Sequence, residues 1–199
     1  MHCKTFAALF SLLLCTPLFS QKVEPTYKQV AYGPHQDMVL NFWKIDSKKP
    51  TPLLVHIHGG GWLGGKKNET TSANQLKNGY SYASIDYRLA GVELLPAAVH
   101  DAARAIQFSR TKAKEWKFDP DRIAVTGGSA GAASSMWLAY HDDMADPKSK
   151  DPVLRQSSRV CGAVAMGGQT TLDPFLLEKK TGLACIRHPM IWKTVGASS

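Results

Sequence analysis

Cysteine is scarce in this chain of 199 residues, which has four. Two of them, Cys3 and Cys15, fall in an apolar N-terminal stretch that reads as a removable leader. Export would permit a bridge between the other two, Cys161 and Cys185. Cys161 sits in an apolar run, however, and is expected to be a buried free thiol. Runs of like charge are missing as well. The net charge is +8, yet the lysines cluster no further than the pairs Lys48-Lys49, Lys66-Lys67 and Lys179-Lys180, with no aromatics between them. That pattern disfavours nucleic-acid binding. It suits a solvated basic surface with some preference for acidic substrates or anionic polysaccharide. No apolar run is long enough to span a membrane stably, and internal repeats are absent. With 44% hydrophobic and 20% charged residues, the composition fits a folded globular chain of one-domain length.

The leader has three parts. Lys4 supplies the positive start, Phe6 to Leu14 the apolar stretch, and Leu18-Phe19-Ser20 a cleavage site before Gln21. Residues 1–20 therefore read as a signal peptide and residues 21–199 as the folded part, which points to a secreted or periplasmic protein. A lipoprotein anchored at Cys15 is disfavoured, because Leu13 and Leu14 stand where small residues are wanted.

Two glycine clusters carry the chemical signal. Gly127-Gly128-Ser129-Ala130-Gly131 follows the apolar run Ile123–Thr126 and precedes an alanine-rich helical segment. Strand, sharp turn and helix with one serine at the apex form a G-x-S-x-G nucleophile elbow, in which the turn tolerates no bulk and lifts the hydroxyl clear of the sheet. The second cluster, His58-Gly59-Gly60-Gly61-Trp62, follows the apolar run Leu53–His58. Its consecutive glycines let backbone N–H groups turn toward a common point. His56 and His58 alternate onto one strand face, but no third ligand is indicated, so no metal is expected. Gly60 to Lys67 nearly spells a phosphate-binding loop, yet Lys67 stands where serine or threonine should hold magnesium.

Around these clusters, Thr26–Tyr32 and Met38–Ile45 read as a hairpin closed by Gly33 to Asp37. Ser47–Pro52 reads as a surface connection, Asn68–Asn78 as a helix stopped by Gly79, and Tyr80–Tyr87 as a strand. Pro96 opens a long helix with Ala98, Val99, Ala102, Ala103, Ile106 and Ala113 on one face. Phe118–Arg122 reads as a turn into the elbow strand, Ala130–His141 as the elbow helix, Asp142–Ser158 as polar linker or loop, and Val160–Met166 as a further strand. Alternating strands and helices predict an α/β fold, with a mostly parallel sheet covered on both faces and a leading antiparallel hairpin. Both glycine clusters then lie beyond the carboxyl ends of the strands, where such sheets do their chemistry.

Four pieces in this order resemble the α/β-hydrolases: His58 to Trp62, Asp86-Tyr87-Arg88-Leu89, Pro96 with Asp101 in the helix after it, and Asp119-Pro120-Asp121-Arg122 running into Gly127–Gly131. More narrowly, the chain is similar to the esterases related to hormone-sensitive lipase and to bacterial feruloyl and acetylxylan esterases. The resemblance covers most of residues 25–170 and implies a partial α/β-hydrolase domain over residues 21–199, with the C-terminal strands missing. It implies a carboxylic ester hydrolase with no cofactor, acting on a small-molecule or polysaccharide-linked ester. Ser129 would be the nucleophile, forming an acyl-enzyme, and the N–H groups of Gly60, Gly61 and Ala130 would form the oxyanion hole. His58, Asp86 and Arg88 would be structural.

In that fold the acid and then the histidine follow the serine on loops after later strands. Only one clear strand follows Ser129 here, and two further strand–helix units would need about 60 more residues. Asp173 and His188 have the right order, but no strand separates them. The expectation is an N-terminal part of a secreted esterase whose 199 residues lack a working triad. The alternatives are a short non-catalytic relative, or an amide or peptide hydrolase of the same fold.

Overall fold

The computed structural model describes residues 23–182 and 189–196; the predicted signal peptide, Cys185 and His188 lie outside the described residues. β1 (Tyr27–Ala31) and β2 (Val39–Trp43) form the expected antiparallel hairpin, and β2 pairs antiparallel with β4 (Ser81–Ile85). From there the sheet is parallel: β4 to β3 (Thr51–Ile57), β3 to β5 (Phe118–Gly128), and β5 to β6 (Gly162–Met166), in the order β1-β2-β4-β3-β5-β6. Parallel neighbours require crossovers, which α1 (Ser72–Lys77), α2 (Ala97–Trp116) and α3 (Ala130–Tyr140) supply.

The period-two geometry of strands sorts side chains onto the two faces. Phe42, Ala83, Val55 and Val125 stand in register across the sheet. They form one buried core with Ala98, Ala102, Ile106 and Trp116 of α2, each large apolar side chain contributing about 1.5–3 kcal/mol. On the other face Asn41, Ser84, His56 and Thr126 are in register. The segment before α1 covers the first two of these: Asn68 N–H donates to Ser84 Oγ at 2.7 Å, and Asn41 Nδ2 donates to Glu69 at 2.6 Å.

Several local expectations are corrected. The helix predicted over Asn68–Asn78 begins only at Ser72, because Asn68 Oδ1 accepts from the N–H and hydroxyl of Thr70 and closes a turn instead. The connection predicted to end at Pro52 yields Thr51 and Pro52 to β3; Thr51 is buried, its hydroxyl 2.7 Å from that of Ser81. The turn chemistry of Phe118–Arg122 is present, with Asp121 N–H bonded to Asp119 Oδ1. It sits inside β5 as a bulge, since Thr51 faces Phe118 while Leu53 faces Ile123.

Cys161 was expected to be buried and is exposed, because β6 forms the sheet edge and most of its residues face solvent. Residues 142–158, read as linker or loop, are clamped onto α2. Gln107 Nε2 reaches the carbonyls of Met144, Leu154 and Gln156, Arg104 pairs with Asp151, and Arg110 bonds the carbonyls of Ser157 and Arg159. After β6 come two short helices, α4 (Pro174–Thr181) and α5 (Pro189–Val195).

Candidate active site

Ile57 of β3 and Gly127 of β5 are partners in the parallel ladder, so the loops that leave these strands emerge side by side. On the β5 side the chain turns at Ser129, with φ 54° and ψ −120°, and Ser129 serves as N-cap of α3. A residue with a side chain rarely adopts positive φ, at a cost of about 1–3 kcal/mol. Neighbours hold it there. Ser129 N–H donates to the Met166 carbonyl of β6 at 3.0 Å, and its own carbonyl takes the Ala133 N–H at 2.9 Å. The residue itself is exposed, so the turn presents the hydroxyl to solvent.

The crowding predicted at the elbow is tight. An ideal Cβ on Gly127 would lie 2.4 Å from the Ile57 carbonyl oxygen, and one on Gly131 would lie 2.0 Å from the same atom. The glycine loop approaches from the β3 side. A Cβ on Gly59 would stand 2.7 Å from the Gly128 carbonyl oxygen and 3.5 Å from the Ser129 Cβ. Gly60 and Gly61 take φ of 108° and 63°, and Leu63 and Gly64 N–H groups close the turn on the Gly60 carbonyl. The candidate donors at Gly60 and Gly61 thus belong to a loop whose Gly59 packs against the elbow, and Ala130 follows Ser129 at the head of α3.

Side chains from the segment just after β4 fix the loop. The His58 ring stacks on Tyr87 with centroids 4.2 Å apart, its Nδ1 lies 2.7 Å from the Gly59 carbonyl oxygen, and Tyr87 hydroxyl donates to the His58 carbonyl at 2.9 Å. Burial pushes the His58 pKa down. It raises the Tyr87 phenol, with the Asp86 carboxylate adding to that rise. Asp86 accepts from both the N–H and the ammonium of Lys67, and Arg88 forks onto Asp101 with Nε and Nη2. Lys67, which nearly completed a phosphate-loop pattern, is therefore tied to a carboxylate that is itself largely buried. Trp62 docks the loop on the elbow helix, its indole N–H donating to Ser134 Oγ at 3.1 Å. Sequence reading missed Lys67 and Ser134 as partners, since nothing in their spacing announces them.

His56, one residue before Ile57, is pushed down to a pKa of about 4 by burial and by the neighbouring His58. Among the described residues no group of three histidine, cysteine or acidic side chains could hold a metal ion, and no helix is long and apolar enough to cross a membrane. Nor is any described histidine hydrogen-bonded to the Ser129 hydroxyl. Asp173 is the N-cap of α4, its Oδ1 accepting from the N–H groups of Phe175 and Leu176.

Comparison with known proteins gives this geometry a lineage. The BD-FAE family profile matches residues 42–181. The carboxylesterase NlhH of Mycobacterium tuberculosis is 37% identical over 101 residues, covering 49% of this chain and 32% of the relative. An arylesterase of Saccharolobus solfataricus is 42% identical over 82 residues, covering 40% of this chain and 27% of the relative. The crystal structure of an acetyl ester-xyloside bifunctional hydrolase from Caldicellulosiruptor lactoaceticus superposes with a TM-score of 0.71 at 26% identity, over 88% of this chain and 65% of that one. The chain spans about a third of the length of such curated relatives. Its sheet, with the antiparallel hairpin leading into parallel strands, is that of the α/β-hydrolases. The chain belongs to the BD-FAE family of α/β-hydrolase esterases.

Proposed function

We propose that this protein is a carboxylic ester hydrolase that works through an acyl-enzyme on Ser129. The observation that carries the reading is the positive-φ serine at the head of α3, flanked by the glycine loop. Ser129 Oγ bonds to the ester carbonyl carbon, the carbon–oxygen bond to the alcohol breaks, and the serine proton passes by way of a base to the departing alcohol. The N–H groups of Gly60, Gly61 and Ala130 receive the oxyanion, each such donor contributing about 3–4 kcal/mol to the transition state. Water then releases the acid.

The base and its orienting carboxylate are supplied from outside the described residues. Support comes from Asp173, whose carboxylate is engaged in capping α4, and from the absence of a histidine on Ser129 among the described residues. The substrate is a small-molecule or polysaccharide-linked ester. The similarity to an acetyl ester-xyloside hydrolase favours acyl groups carried on a sugar. The leader at residues 1–20 favours action outside the cytoplasm.

Intact-mass measurement of the purified chain with p-nitrophenyl acetate tests this. Stoichiometric acetylation of Ser129 is expected, faster with added imidazole as a substitute base, absent in Ser129→Ala, and without multiple turnover. An adduct that survives Ser129→Ala would remove Ser129 as nucleophile. Multiple turnover that Ser129→Ala abolishes would show that a base is already present.

A further inference from the structure

Each glycine of the loop His58–Trp62 is packed by something different. A Cβ on Gly59 would meet the Gly128 carbonyl oxygen of the elbow at 2.7 Å, and one on Gly60 would meet the Gly64 carbonyl oxygen of the loop itself at 2.2 Å. Gly61 is packed by neither. The three atoms nearest to a Cβ there all belong to Met190 of α5, with Sδ at 2.5 Å and Cγ at 3.3 Å. A helix far along the chain thus fills the space beside Gly61, and it does so with a side chain rather than with backbone. Gly61 is buried and Met190 half-buried.

Two further contacts seat α5 in this place. The Leu95 N–H donates to the Thr194 carbonyl at 3.1 Å, and a Cβ on Gly196 would stand 2.3 Å from Leu94 Cδ1. Thr194 is 1% exposed. The segment that receives α5 is itself bonded to the glycine loop, since the Ala90 N–H donates to the Trp62 carbonyl at 2.7 Å. The loop, the segment 90–96 and α5 therefore close a ring of contacts, and Met190 on Gly61 completes it. Glycine has the most backbone freedom to lose, so the direction of its N–H depends on what packs beside it. A thioether suits that position because it bends to fill an irregular gap.

We propose that Met190 is a positioning residue, which braces Gly61 so that its N–H stays aimed at the oxyanion formed when Ser129 attacks. The inference rests on the ester-hydrolase reading of Ser129. An oxyanion donor counts only within about 2.7–3.1 Å of the charge it meets, and a displacement of about 1 Å costs about a hundredfold in rate. Met190 acts through the Gly61 backbone. Its removal loosens a donor without deleting one, so the expected loss is smaller than that.

The test follows acetylation of Ser129 in the full chain by p-nitrophenyl acetate, with imidazole present, over a range of ester concentrations. The limiting rate and the half-saturating concentration are then read separately. Met190→Ala is expected to lower the limiting rate about tenfold and to change half-saturation by less than about twofold, because the donors matter chiefly in the transition state. Met190→Leu keeps an apolar side chain of similar volume and should return the rate to within about twofold of native. A loss confined to half-saturation, or a limiting rate unchanged or raised in Met190→Ala, would overturn the positioning role. The contact itself is read from urea midpoints. Gly61→Ala drives a methyl onto the thioether, so it should cost less stability in a Met190→Ala background than in the native one. Strictly additive shifts would mean that Met190 does not brace Gly61. Failure of the native chain to acetylate would sink the ester-hydrolase reading instead, with the urea series still legible.

Discussion

At the scale of single residues, the elbow works by exclusion. Ser129 keeps its strained backbone because nothing bulkier than hydrogen stands at Gly127 and Gly131, both pressed against the Ile57 carbonyl. A methyl at position 131 would also meet the His58 carbonyl oxygen at 2.8 Å, and backbone atoms of a central strand cannot step aside cheaply. Gly131→Ala is therefore expected to destabilise the fold by about 2–3 kcal/mol, read from the urea unfolding midpoint; a change under about 0.5 kcal/mol, the size of an ordinary surface substitution, would contradict the packing described. These positions were legible in the sequence because there the residue type is itself the constraint. Lys67 was not. Its role comes from a carboxylate 19 positions away.

At the scale of elements, long periodic segments were readable and their edges were not. The apolar face of α2 and the alanine-rich α3 follow from spacing alone. The start of α1 and the bulge in β5 depend on side-chain-to-backbone bonds at Asn68 and Asp119 that compete with regular structure. The loop over residues 142–158 shows the same limit. Its composition is polar, yet three of its carbonyls converge on the amide of Gln107, which is 1% exposed. Gln107→Leu would leave those carbonyls without their donor, at a cost of about 1–3 kcal/mol, and would release the loop before the rest of the domain. Trypsin should then cleave after Lys148, Lys150 or Arg155 well ahead of other sites, whereas an unaltered digestion pattern would mean the loop is held by other contacts.

At the scale of the whole molecule, the two faces of the sheet respond differently to acid. One carries an apolar core, and the other carries His56 in a polar row with Ser84 and Asn41. The His56 pKa is lowered from 6.5 to about 4, and burial lowers those of His58 and His100 as well. The unfolded chain therefore takes up protons near pH 6.5 that the folded chain refuses until about pH 4, so stability falls as pH drops through that window and levels off below it. Depressed carboxylates such as Asp143 and Asp151 act lower, beneath their ordinary value of 3.8. The decline between pH 6.5 and 5 thus belongs to histidine. Urea midpoints across that range should show it, with a shallower slope in His56→Gln; a flat profile would contradict the burial of His56.

The edge strand β6 has a consequence for how these 199 residues, prepared alone, behave in bulk. Gly162–Met166 contains no charge and no proline, its Val164 and Met166 are 59% and 63% exposed, and among the described residues nothing pairs with its outer side. Such an edge is a template for a strand from any neighbouring chain. Concentrated solutions are expected to scatter light and grow turbid despite the +8 charge, and Val164→Lys should keep them clear by placing a charge where a second strand would have to dock.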